Sequence, residues 1–292
     1  MQRQSLNGAP AESAAPARPA STRPAAGGNG GEGGNGGNGG EKPSRRLSRR
    51  TWVALVFIVV LIPAALLLLG SRLQTMKWEF SLFGTTVVWR LHYAVSLLII
   101  VCAMIPFFMT FEKRKPQARE LVVIATLSAL AVAGRAAFFM LPQFKPVCAI
   151  VIIAGVCFGA ESGFLVGAVT GFVSNFFFGQ GIHTPWQMFC FGVVGFLAGI
   201  LFRKGLLPKR PVPLCIYGGL SVFLLYGGII NLSTLLGTGA ALTWPMVAAK
   251  YLSALPFDLL HAAATVFFLL VLSRPMIEKL ERIKVKYGLI QP

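Results

Sequence analysis

Arg135 lies inside an apolar run at about residues 121 to 140, where an unpaired guanidinium costs several kcal/mol in lipid. Three arrangements remove that cost. They are an ion pair with Asp258, snorkelling from the outer end of the span, and contact with a polar ligand in an outer cavity shared with Lys145 of the next loop. The last apolar run, at 246 to 272, carries Lys250, Tyr251, Pro256, Asp258 and His261. On a helix Lys250, Asp258 and His261 fall within an arc of about 80°, but Lys250 and Asp258 are about 12 Å apart along the axis. They cannot simply neutralise each other, so Asp258 needs another partner. His261 alone reads as hydrogen-bonded packing. Pro256 frees backbone groups, and the helix is expected to bend or open there. Glu161, at an inner turn beside a helix start, is favoured by the helix dipole. With Glu161 and Asp258 taken as the acidic residues in or near the core spans, a carboxylate relay for proton coupling is thin.

Other chemistries lack their residues. There is no GxxxxGK[ST] to cradle ATP phosphates, and no HExxH or GxSxG. Ser174 with His183 or His261 makes a loose dyad at best, so no catalytic residue is expected. The five cysteines are Cys102, Cys148, Cys157, Cys190 and Cys215. They lie in or beside apolar runs without CxxC spacing and read as buried thiols, with no metal site.

The stretch GAESGFLVGAVTGFVSNFFFGQGIHTPWQM presents Gly159, Gly163, Gly167 and Gly171 at four-residue spacing. A helix there carries a small-residue stripe on which another membrane helix packs closely. The stripe runs into Ser174, Asn175, three phenylalanines and the non-helical Gly179, Gln180 and Gly181, then His183 to Trp186. A close-packed helix thus delivers a polar and aromatic loop to a membrane face. Trp52, Trp186 and Trp244 fall near span ends, as interfacial belt residues do, and Trp186 also stands where its ring can meet a ligand.

These elements belong to an all-α membrane protein. The chain has 292 residues, mean hydropathy +0.68, 55% hydrophobic and 13% charged residues, and a net charge of +17. That charge is no nucleic-acid groove, because it crowds the N-terminal tail and short loops between apolar runs. Residues 1–50, rich in Gly, Ala, Pro, Asn and Ser, bury no core and read as a disordered tail. Apolar runs follow at 51–70, 92–111, 121–140, 147–159, 163–178, 187–202, 213–231 and 246–272, with Trp78 and Trp89 in an outer segment at 71–90. Placing both termini inside puts 21 of the 27 Lys and Arg on that side. The runs at 147–159 and 163–178 are short for spanning, with Ala160, Glu161 and Ser162 as the turn between them. Such short helices fit beside a cavity at membrane depth.

Ala125, Ala129 and Ala133 repeat on one face of the 121–140 run, extended by Ala136. This is either ordinary bundle packing or a docking strip for a partner's helix. Arg135 lies about 120° around from that stripe, so one face can meet a partner while another turns a cation inward.

Residues from about Arg119 to Ser273 resemble the substrate-binding (S) components of energy-coupling factor (ECF) transporters. The alanine pattern, GFLVGAVTGFVSNFFFGQGIHTPWQM and LPFDLLHAAATVFF carry the likeness. It covers a little over half the chain and six of the eight spans. It implies a six-helix cup at 119–275, and outside it the apolar runs and charges give two additional transmembrane helices and a cytoplasmic loop at 51–118 and a cytoplasmic tail at 276–292. It further implies a multi-pass protein of the bacterial cell membrane that captures a vitamin or related micronutrient outside. That component docks through Ala125, Ala129 and Ala133 on a transmembrane coupling subunit bound to two cytoplasmic ATPases. ATP is then the partners' substrate and the chain itself needs no cofactor. Arg135, Lys145, Asn175, Gln180, Trp186, Asn231 and Lys250 are the expected pocket residues, and the glycine stripe is packing. The cations point to an anionic or strongly polar ligand, with a cobalamin-related or queuosine-type compound as a candidate. Two other classes stay open: a self-sufficient carrier coupling ions through Asp258 and Arg135, and a membrane enzyme or scaffold.

Overall fold

The computed structural model describes residues 77–82, 85–113, 117–238 and 242–288. The expected tail at 1–50 and the first expected span at 51–70 lie outside the described residues.

Lys77–Leu82 (β1) and Thr85–Arg90 (β2) form an antiparallel hairpin that places Trp78 opposite Trp89. Their alternation of polar with aromatic and β-branched residues suits a pleated strand better than a helix. The chain then turns helical, through α1 (Leu91–Lys113), α2 (Ala118–Ala137), α3 (Val147–Phe158), α4 (Ala160–Phe178) and α5 (Thr184–Ala198). After it come α6 (Pro211–Leu220), α7 (Gly228–Thr238) and α8 (Trp244–Lys286). Among the described residues five helical paths are long and apolar enough to cross a membrane, and shorter apolar helices cover Leu97–Met109 and Val147–Phe158. Apart from this hairpin, the chain is an all-α, multi-pass membrane protein.

The α3 helix is apolar all round, and each of its 12 residues is buried, as a central helix must be. It is short because it is enclosed. Its neighbour α4 starts at Ala160 and runs 19 residues, so the expected turn at Ala160, Glu161 and Ser162 is helical instead. The real joint is Gly159, at φ 103°, a conformation that only glycine adopts readily. Arg203 lies over that joint and donates from Nη1 to the Phe158 carbonyl at 2.9 Å, satisfying a helix-end acceptor.

Further along α4 the glycine stripe meets α5 as expected. A Cβ on Gly163 would strike the Gly195 carbonyl oxygen, one on Gly167 the Phe191 backbone, and one on Gly171 the Met188 backbone. Phe107 of α1 stacks on Phe164 of α4, with ring centroids 4.1 Å apart and planes 8° apart, and meets Phe196 of α5 edge-on. The helix preceding the six-helix region is therefore packed onto it.

Two π turns, Gly199–Arg203 and Ser221–Gly227, interrupt the helical paths. The second joins α6 to α7. Such turns shift side chains out of the α register and recur at functional sites. The α8 helix stays helical through Pro256 and Pro275 over 43 residues, so the expected opening at Pro256 does not occur. At about 1.5 Å per residue it is roughly twice as long as a bilayer core is thick. Its distal turns lie against the bundle, where Lys284 donates to the Cys157 carbonyl at 3.2 Å and Lys209 pairs with Glu281 at 2.9 Å. At that same end Glu120 is buried and accepts from Ser162 at 3.1 Å. Glu120 is a third carboxylate in the core spans, beyond the two read from the sequence. It was legible only as the polar start of a span.

Candidate substrate-binding site

Arg135 is in the last turn of α2, half-buried. Its Nη1 donates to Ser174 and, at 2.9 Å, to Asn175 Oδ1, and its Cζ lies 4.6 Å from the Phe178 ring centroid. The last turn of α4 thus holds the guanidinium with neutral groups and a π face, and among the described residues it has no ion-pair partner. Asn175 is itself held. Its Nδ2 donates to Thr184 Oγ1 at 3.1 Å and to Gln187 Oε1 at 2.8 Å. Thr184 donates to Gln180 Oε1 at 2.9 Å and accepts from the Gly181 amide, while Gln180 Nε2 caps the Phe172 carbonyl. The polar loop between α4 and α5 therefore works as a brace, with Arg135 and Gln187 as the side chains it aims.

Those two side chains open onto a cavity of about 530 Å³ between α2, α5, α7 and α8. Lys145, from the loop after α2, stands on the same wall as Arg135 and donates to the Leu141 carbonyl at 3.0 Å. Burial and the nearby Arg135 charge hold the Lys145 ammonium below the usual lysine range. Gln143, also in the lining, has φ 54°, an uncommon value for a residue with a side chain. Opposite stand Asn231, Lys250 and Asp258. Asn231 Nδ2 donates to Asp258 Oδ2 at 2.7 Å. The carboxylate sits so close to the π turn that a Cβ on Gly227 would come within 3.0 Å of it. Tyr251 donates to the Gly228 carbonyl at 2.8 Å, pinning α8 to the start of α7. Tyr226 and His261 meet edge-on at 4.7 Å between the two walls.

Arg135, Lys145, Asn231 and Lys250 of the expected residues come together in this lining. Asn175 and Gln180 stand one layer behind it, as positioning groups. Trp186 is neither a belt residue nor a pocket residue, because it is fully buried between helices. Trp244, at 86% exposure, does fit the belt reading. Among the described residues Arg135 and Asp258 form no ion pair, and neither do Lys250 and Asp258. Gln143, Gln187, Phe191 and Tyr226 also line the cavity and were not foreseen. Asp258 and His261 were legible as part of one helical face with Lys250. Tyr226 reaches in from a π turn, which side-chain spacing does not announce.

The other side of α2 is bare. Ala125, Ala129 and Ala133 are exposed, whereas Leu127 and Ala131 are buried. With Ala136 and with Val169, Val173 and Phe177 of α4 they line an apolar groove of about 510 Å³. Among the described residues the alanines therefore face outward rather than into the bundle.

A family model described as ECF transporter, substrate-specific component, matches residues 119–273, more than half of the chain. The chain belongs to this family. The match begins one residue into α2 and ends within α8, so the hairpin and α1 precede the part of this ECF component that the family shares. The family's description is that of the substrate-specific component of a transporter. A UPF0397 protein of Vibrio atlanticus (strain LGP32) is 31% identical over 121 residues, covering 39% of this chain. The ECF component spans 66% of that relative's length. No solved structure matches.

Proposed function

We propose that this ECF component captures a scarce micronutrient, a vitamin or related compound, from outside the cell, and passes it inward by docking on a transmembrane coupling subunit driven by two cytoplasmic ATPases. The observation that carries this reading is the division of α2 into two faces, exposed alanines along one and Arg135 turned into a cavity on the other. Small residues let a partner's helix approach closely. The groove's lining comes from α2 and α4, so the packed α1 helix leaves it open.

Polarity supports an outward cavity. Arg203, Lys209 and Lys284 gather at the end of the bundle where α3 finishes, and Arg135 and Lys145 stand where α3 begins. The positive-inside rule puts the first end, and with it the C-terminal basic turns of α8, in the cytoplasm. The cavity then faces outward. Its size favours a compound of one or two fused rings over a corrinoid.

Uptake of a growth-limiting micronutrient in cells tests the proposal directly. It is expected to fall to background when the coupling subunit or the ATPases are deleted. Undiminished uptake without them contradicts it, and if that uptake stops when the proton gradient is dissipated at constant ATP, the chain is an ion-coupled carrier instead.

A further inference from the structure

The cavity is electrically lopsided. Arg135, Lys145 and Lys250 line it against the single carboxylate of Asp258, and among the described residues none of the three is within ion-pair distance of an acid. Such a site favours an anion. Of the Arg135 donors only Nη1 is engaged among the described residues, which leaves donors of the planar fork to receive a carboxylate or phosphate. Lys145 stands beside it as a second point charge. Across the cavity Asp258 Oδ2 is taken by Asn231, and Oδ1 has no donor among the described residues. Asp258 is half-buried in the lining, and an acceptor facing the cavity in that state can take a donor from the ligand. Between these ends the walls are Phe191, Tyr226 and Phe257 with Ile230, surfaces suited to a flat ring.

Taking the cavity to be the substrate site, as argued above, we propose that its ligand is an amphoteric ring acid: the acid group binds Arg135 and Lys145, and an N–H edge of the ring donates to Asp258. Asn231 holds the carboxylate in place for that bond, and Asn175 does the same for Arg135. Lys250, on the Asp258 side of the cavity, keeps that carboxylate from repelling the anion.

Binding of six probes to the purified full chain in nanodiscs, measured by calorimetry, tests this. Orotate and pterin-6-carboxylate carry both features, uracil and pterin keep the ring edge without the acid, and benzoate and 2-naphthoate keep the acid without the edge. The ring acids are expected to bind at least tenfold more tightly than either half. Arg135→Gln is expected to bring orotate down to the affinity of uracil, and Asp258→Asn to bring it down to that of benzoate. Lys145→Gln, in a loop between helices, is expected to weaken both ring acids about tenfold and keeps the test decisive if Arg135→Gln does not fold. The inference is overturned if the ring acids bind no better than the stripped rings, if the three variants leave their affinity unchanged, or if none of the six compounds binds. Uptake that proceeds without the coupling subunit overturns the importer reading while leaving these affinities as they are, so the two failures are distinct.

Discussion

Ala129→Phe is expected to reduce co-purification of the coupling subunit with this ECF component at least tenfold and to bring uptake to background. The melting temperature and ligand affinity of the purified variant are expected to match those of the unaltered chain. Ala129 is exposed and lies midway along the groove that α2 forms with α4. Among the described residues a benzyl group there points into the groove rather than into the core. It fills the space that a partner's helix needs, and membrane helices that associate by close van der Waals contact tolerate little added bulk at the crossing. Arg135 lies on another face of the helix, so its cavity is untouched. A variant that still co-purifies at full yield excludes the groove as the docking surface.

Gly163→Leu is expected to prevent folding, with no monodisperse protein recovered in mild detergent. A Cβ at Gly163 would meet the carbonyl oxygen of Gly195 and the Cα of Gly155, which are backbone atoms of α5 and α3. Neither can swing aside as a side chain does. The three helices must separate, which forfeits contacts along their whole crossing and costs more than the typical ~1–3 kcal/mol of a tight core insertion. Gly228→Ala is the control. Nothing lies within 4 Å of its added methyl and its backbone is already helical, so the melting point is expected to hold or rise slightly, since alanine is favoured over glycine by up to about 1 kcal/mol in a helix. Equal recovery of both variants contradicts the close crossing.

The large-scale features of the fold were legible because lipid makes strong demands. Apolar runs, the four-residue glycine period and the crowding of Lys and Arg into a few loops each follow from a single physical requirement, and they marked most of the helices and a close helix crossing whose partner the sequence left unnamed. The errors came where a local residue type has more than one use. Pro256 was read as a place where the helix bends or opens, and α8 continues through it without opening. Gly159 was read as the first glycine of the helical stripe, yet it makes the turn, and the Ala-Glu-Ser read as the turn is helical. Residues 71–90 carry tryptophans that suit an interface in any conformation, and their alternation, which favours strands, was passed over.

At the site, charge proved the better guide and polarity the poorer one. Arg135, Lys145 and Lys250 reach the cavity because a cation in an apolar chain has few other places to go. Asn175 and Gln180, with polar groups that can be satisfied by neighbours, became the brace behind it. Trp186 was misplaced because a ring next to a polar loop serves as packing as readily as it serves a ligand, and here it is fully enclosed. Tyr226 escaped notice because the π turn that carries it leaves no trace in residue spacing.

A cryo-electron microscopy structure of the ECF component assembled with its coupling subunit and ATPases, with ligand added, bears most directly on the two faces of α2. The account predicts a coupling-subunit helix seated over Ala125, Ala129 and Ala133, with ligand density against Arg135 on the other side of that helix. Lipid over those alanines, with the coupling subunit resting on α1 or α8, would contradict it.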